Sequence, residues 1–214
     1  MSLRKQQGFT LIEIAIVLVI IGLLLGGILQ GQSLINSARV RNLISQIDGI
    51  KAAFYGFQDR YRALPGDFSQ ATTLIPNASK DGDGNGQITG TEAIAVWDHL
   101  SHAGFITGTY VYASPETPAT TPANPWNAYI QLIYDNNYVG TPTLRHNLKT
   151  GNQVPVEVIA EVDRKIDDGK AESGIMRFSV YGTSPPVAAN CYDAGTGVWS
   201  AGNGQANCGA AILF

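Results

Sequence analysis

Between Phe9 and Leu29 every residue is apolar or glycine except Thr10 and Glu13. As a helix, a run of that length crosses about 30 Å of hydrocarbon. Arg4 and Lys5 precede it, which holds the leader on the cytoplasmic side and places the bulk of the chain outside. The pattern then changes instead of stopping. Val40, Ile44, Ile47, Ile50, Phe54, Phe57, Tyr61 and Leu64 recur at steps of three and four, with Arg39, Arg41, Asp48, Lys51, Asp59, Arg60 and Arg62 between them. That is a helix with one apolar stripe. No proline lies between Phe9 and Leu64, and Pro65-Gly66 supplies the stop. The pattern therefore predicts a single helix of about 53 residues, roughly 80 Å long, with one half suited to lipid and the other needing a domain to lean on.

Beyond the stop, "EAIAVWDHLSHAG" places Ala93, Val96, Trp97 and Leu100 on one face, with Gly104 positioned to cap a second, short helix. "TGTYVYA" and "NAYIQLIYD" read as strands joined by the proline-rich "SPETPATTPANP". "VPVEVIAEVDRKIDDG" predicts a third helix from Pro155 to near Gly169, followed by a strand in "GIMRFSVYG". The last 25 or so residues are rich in glycine and asparagine. The fold class expected is α+β: a long N-terminal helix on a small domain with a β-sheet and short helices.

Charge and cysteine narrow the function. With a net charge of −3 and 14 thinly spread basic residues, no stripe exists that would neutralise phosphates, so nucleic acid is not an expected partner. Cys191 and Cys208, a close pair behind an export-type N-terminus, read as a disulfide formed in an oxidising compartment. Closing that loop contributes about 3 kcal/mol in the chain-entropy picture.

The leader, Gly8 and the run "GFTLIE" resemble the prepilin signature of type IV pilins and type II secretion pseudopilins. The resemblance implies that prepilin peptidase cuts between Gly8 and Phe9, that Phe9 becomes N-methylphenylalanine, and that Glu13 is the glutamate at the fifth mature position. It also implies a pilin-like fold, an inner-membrane precursor with its C-terminal domain in the periplasm, and assembly with other pilin or pseudopilin subunits into a periplasmic or surface filament. The domains expected are a leader at 1–8, a transmembrane and assembly segment at 9–33, and an extracytoplasmic domain at 34–214. Electrostatics agrees. A charged Phe9 amine or Glu13 carboxylate left alone in hydrocarbon costs several kcal/mol, so each favours the other across neighbouring subunits. Many pilins carry a proline mid-helix; here Gly22, Gly26, Gly27 and Gly31 occupy that region and permit close helix packing.

"DGDGNGQITGTE", residues 81–92, fits the EF-hand loop template at every specified position. Asp81, Asp83 and Asn85 would offer side-chain oxygens, Gln87 its carbonyl, Thr89 a bridging water and Glu92 two oxygens to Ca2+, with Gly86 at the sharp turn. Pro76 leaves at most a very short entering helix, which suits a structural ion over an opening sensor. His99 and His102 read as surface histidines, Asp167-Asp168-Gly169 as turn chemistry, and Trp97, Trp126 and Trp199 as core or turn anchors. No catalytic constellation stands out. The expected function is a structural filament subunit and not an enzyme. The rival from another class is a membrane-anchored Ca2+ module that binds a surface ligand without polymerising.

Overall fold

The computed structural model describes residues 10–214, and the chain divides between Arg39 and Val40 into two compact units. A single helix, α1, runs from Leu11 to Tyr61, 51 residues, and so belongs to both. In the first unit every large apolar side chain from Leu11 to Ile35 is exposed, from 46% at Ile21 to 88% at Leu11. In the second unit Val40, Ile47, Ile50, Phe54 and Phe57 of the predicted stripe are buried, joined by Leu43 and Ala53, while Ile44, Tyr61 and Leu64 are partly buried against the same core.

The second unit then runs α2 (Ala71–Leu74), α3 (Glu92–His102), β1 (Gln131–Asp135), β2 (Arg145–Lys149), α4 (Val156–Ile166), β3 (Met176–Phe178), α5 (Ala188–Cys191), β4 (Tyr192–Asp193), β5 (Val198–Trp199) and β6 (Ala210–Leu213). Strands β1, β2, β6 and β3 pair antiparallel in that order, while β4 and β5 form a small hairpin. The register lines up Leu132, Leu148, Ile212 and Met176 in one row across the four strands, each no more than 1% exposed. This row joins the α1 stripe, Trp97 and Leu100 of α3, and Ile159 and Val162 of α4 in one core. The α+β class and the C-terminal disulfide, Cys191 to Cys208, are as the sequence predicts.

Two helices start and stop where the pattern places them. α3 ends in a Gly104 turn at φ +80°, with the Phe105 N–H bonded to the Leu100 carbonyl. α4 begins after Pro155, whose missing N–H costs nothing there. "TGTYVYA", in contrast, is not a strand. Its Tyr110 backbone is held by the Ser101 hydroxyl at the end of α3, and Val111 bonds only the Ala119 carbonyl, so side-chain and loop partners take the place of a ladder.

The sequence reading also missed β2. Within "RHNLK" two polar side chains, Asn147 and Lys149, are buried against one acidic partner. Lys149 lies 2.8 Å from Asp135, and Asn147 donates to the same carboxylate at 2.9 Å. Burial pushes the Asp135 carboxyl up, but Lys149 and Asn147 outweigh it and hold it below the ordinary range.

Candidate functional site

Two regions carry candidate chemistry. At the start of α1, Thr10 is the N-cap: its N–H and hydroxyl both donate to Glu13 Oε2 at 2.7 Å, and the Glu13 N–H donates back to Thr10 Oγ1 at 3.3 Å. This is a reciprocal capping box, Thr-x-x-Glu, that satisfies donors of the first turn. The capping signature is present in "TLIE", so Glu13 has a part within its own chain beside the intermolecular one expected of it. The carboxylate therefore caps the start of the helix within its own chain. Gly8 and Phe9 lie outside the described residues.

The second region is the loop at 81–92. Its carboxylates do not all converge. Asp81 turns away to accept from the Thr72 N–H at 2.8 Å and the Thr72 hydroxyl at 2.9 Å, and those bonds hold its carboxyl below the usual value. Asp83 and Glu92 instead meet Asp67, one oxygen from each lying within 4.8 Å of the others. Asp67 belongs to Leu64-Pro65-Gly66-Asp67, the turn that stops α1, and is buried.

Backbone contacts place Asp67 there. Gly82 N–H donates to the Phe68 carbonyl at 3.0 Å and Gly84 N–H to the Asp67 carbonyl at 2.9 Å. The approach is close enough that a Cβ on Gly82 would sit 2.2 Å from the Asp67 carbonyl carbon. Asp67 then accepts from the Asn85 N–H at 3.0 Å and the Gly86 N–H at 2.9 Å. Burial raises its carboxyl above the ordinary value, the Gly86 and Asn85 amides oppose that rise, and the Asp83 and Glu92 carboxyls add to it.

The remaining loop residues complete a network of short bonds. Glu92 accepts from the Asp83 and Thr89 N–H groups at 2.9 and 3.0 Å. Asn85 bridges Asp83 and the Gln87 N–H. Ile88 is fully buried and fastens the loop to the sheet: its carbonyl accepts from the Tyr134 N–H at 2.7 Å, and its N–H donates to His146 Nε2 at 3.3 Å.

His99 is a correction to the sequence reading, which set it on the surface. It is fully buried, and its Nδ1 accepts from the Gly66 N–H at 2.8 Å while Nε2 faces the Lys80 carbonyl at 2.7 Å. An acceptor at Nδ1 and a donor at Nε2 define a neutral ring. One imidazole thus joins the turn carrying Asp67 to the entry of the 81–92 loop. His102 is partly buried beside Asp98, at 2.8 Å. Helical spacing marked both histidines; only the fold shows which backbone groups are left for them to satisfy.

A family model described as a prokaryotic N-terminal methylation motif matches residues 3–29. The chain carries a type IV pilin-like prepilin signal. No curated protein and no solved structure matched the chain. The prepilin signal supports a type IV pilin-like or pseudopilin precursor, and it implies processing by prepilin peptidase and assembly with other pilin subunits in general terms. It runs into a helix of mean hydropathy 2.9 over its most apolar 18-residue window, none of that window buried, which fits a membrane-anchored precursor. Asp67, which the sequence reading did not assign, could be found only from the fold: 14 positions separate it from Asp81, and backbone pairing closes the gap.

Proposed function

We propose that the chain is a structural subunit, pilin-like or pseudopilin, of a type IV pilus or a type II secretion-type filament. It is held in the inner membrane as a precursor, cut between Gly8 and Phe9, N-methylated at Phe9 and assembled through its N-terminal helix, with residues 34–214 outside the cytoplasm. The observation that carries this reading is the methylation motif over residues 3–29, continuous with a helix whose large apolar side chains from Leu11 to Ile35 are all exposed. Such a surface needs lipid or the same surface of other subunits around it.

Glu13 then has two parts. Within its own chain it caps the helix with Thr10. Between chains its charge is neutralised by the Phe9 amine of a neighbour, which sets the axial register, because several kcal/mol oppose leaving either group unpaired in hydrocarbon. In the outer domain the loop binds a structural Ca2+. Asp67, Asp83 and Glu92 are the carboxylates that would hold it, with Asn85, Gln87 and Thr89 supplying loop oxygens. An all-oxygen donor set with three carboxylates suits this ion. When bound, the ion neutralises like charges that otherwise repel, and the residues themselves fix the start of α3 against the end of α1.

Glu13→Gln tests the assembly step. Glutamine keeps an oxygen for the Thr10 donors and removes the charge, so the variant should be processed normally yet be depleted at least tenfold from sheared filaments, a loss of about 1.4 kcal/mol or more. Recovery in filaments at the wild-type level would show that Glu13 serves only as a cap.

A further inference from the structure

α4 ends at Ile166, and the chain turns through Asp167-Asp168-Gly169. The end of a helix presents unpaired carbonyls and the negative pole of its dipole, so carboxylates are disfavoured there and cations favoured. Three carboxylates nevertheless gather at this end. One oxygen from each of Asp163, Asp167 and Asp168 lies within 4.8 Å of the others. Of the two basic residues of the last turn, Lys165 pairs with Glu161 at 2.7 Å, and Arg164 Nε donates to the Ala160 carbonyl at 3.1 Å.

Turn chemistry explains two of the three acids. Asp168 accepts from the Lys170 N–H at 2.9 Å and from the Ser173 hydroxyl, and Asp167 accepts from the Ile175 N–H and, at 2.9 Å, the Met176 N–H. Gly174 leaves the space for this, since a Cβ there would stand 1.9 Å from Asp167 Oδ2. Asp163 is different. It is 0% exposed, its Oδ2 accepts from Trp199 Nε1 at 2.6 Å, and its Oδ1 has no hydrogen-bond partner. Burial raises its carboxyl to about 7; the Trp199 donor and the Gly169 backbone amide oppose that rise, while Asp167 and Asp168 reinforce it. A buried carboxylate with one oxygen short of a partner and two further carboxylates within reach is an expensive arrangement unless positive charge completes it.

We propose that Asp163, Asp167 and Asp168 form a second divalent-cation site, of the calcium class, at the C-terminal end of α4. The donors are all carboxylate oxygens, which favours a hard cation over zinc or copper. The ion supplies the charge that the helix end lacks. It joins α4 to Trp199 on β5 and to the turn entering β3, close to the hairpin that the Cys191–Cys208 disulfide closes. The site shares no residue with the 81–92 loop, and each stands without the other.

Terbium is a suitable probe, because Trp199 is hydrogen-bonded to one of the ligands and can sensitise its emission. The full chain in detergent micelles is used, carrying Asp83→Asn and Glu92→Gln to disable the other loop. In this background, excitation of tryptophan should give terbium emission that excess Ca2+ displaces, and Ca2+ should raise Tm relative to chelator. Asp163→Asn keeps an oxygen for Trp199 and should abolish both responses, while melting higher than its parent in chelator because the buried charge is gone. The exposed Asp168→Asn, which leaves the core intact, should weaken both. Absence of emission in the background protein, emission that survives Asp163→Asn, or equal Tm with Ca2+ and chelator would each overturn the site. None of these outcomes bears on the 81–92 loop, which is read separately from the response lost between the wild type and the background.

Discussion

The two stretches of α1 on either side of Arg39 are parts of one helix built from similar residues, yet they use them in opposite ways. From Leu11 to Ile35 every large apolar side chain is exposed, whereas Val40, Leu43, Ile47, Ile50, Phe54 and Phe57 are each at most 6% exposed. The difference lies in spacing. The first stretch is apolar around its whole circumference and requires an apolar medium on all sides; the second is apolar at every third or fourth position and requires one packed neighbour. Charge follows the same division. Glu13 is the sole charged side chain from Phe9 to Leu29, while the second stretch carries arginines, lysine and aspartates between its apolar positions.

Truncation on the packed side should have the largest effect. Phe57 is fully buried against Tyr61, Phe68, His99 and Phe105, so Phe57→Ala should cost about 3–5 kcal/mol in denaturant unfolding of the domain, followed on the full chain in micelles. A loss below about 1 kcal/mol would mean that the domain does not depend on the stripe.

Acid should act next, through the histidines that hold the loop. Burial lowers the pKa of His99 against the pull of the Lys80 carbonyl and of Asp98, Asp81 and Glu92, and burial likewise lowers that of His146. A histidine whose folded value is depressed leaves the unfolded chain binding more protons. Stability is therefore intact above about pH 6.5 and declines as pH falls from there toward the folded values. Thermal melts between about pH 7.5 and 5.5 should show this decline. His99→Gln should flatten it; an unchanged slope would remove His99 from the account.

The smallest effect should come from the exposed side. Leu18→Ala should leave the stability of the domain within about 0.5 kcal/mol of wild type, since Leu18 is 64% exposed and belongs to the other unit. A loss like that of Phe57→Ala would erase the distinction between the two stretches.

What could be read from the chain beforehand follows from how local each signal is. The extent of α1, the caps of α3 and α4 and the pairing of two nearby cysteines depend on neighbours within a few positions, and they were legible. β2 was not, because Asn147 and Lys149 look like loop residues until Asp135 is known to lie beside them. β6 is four apolar residues, "AAIL", too short for any period to declare itself, yet it lies between β2 and β3 in the sheet. The loop at 81–92 was legible as a motif, whereas its third carboxylate was not. Asp81 has the template's position and Asp67 has the geometry, and the choice rests on backbone bonds between residues 67–68 and 82–84. His99 was misread for the same reason: its partners, Gly66 and Lys80, are distant in sequence.

The central claim is that the exposed stretch enters a filament after the chain is cut just ahead of it. The intact mass of the mature protein, purified from its native membrane, tests this most directly. The account predicts a chain that lacks residues 1–8, begins at Phe9 and carries one added methyl group. A full-length mass, or a cut on the far side of the apolar run, would contradict it.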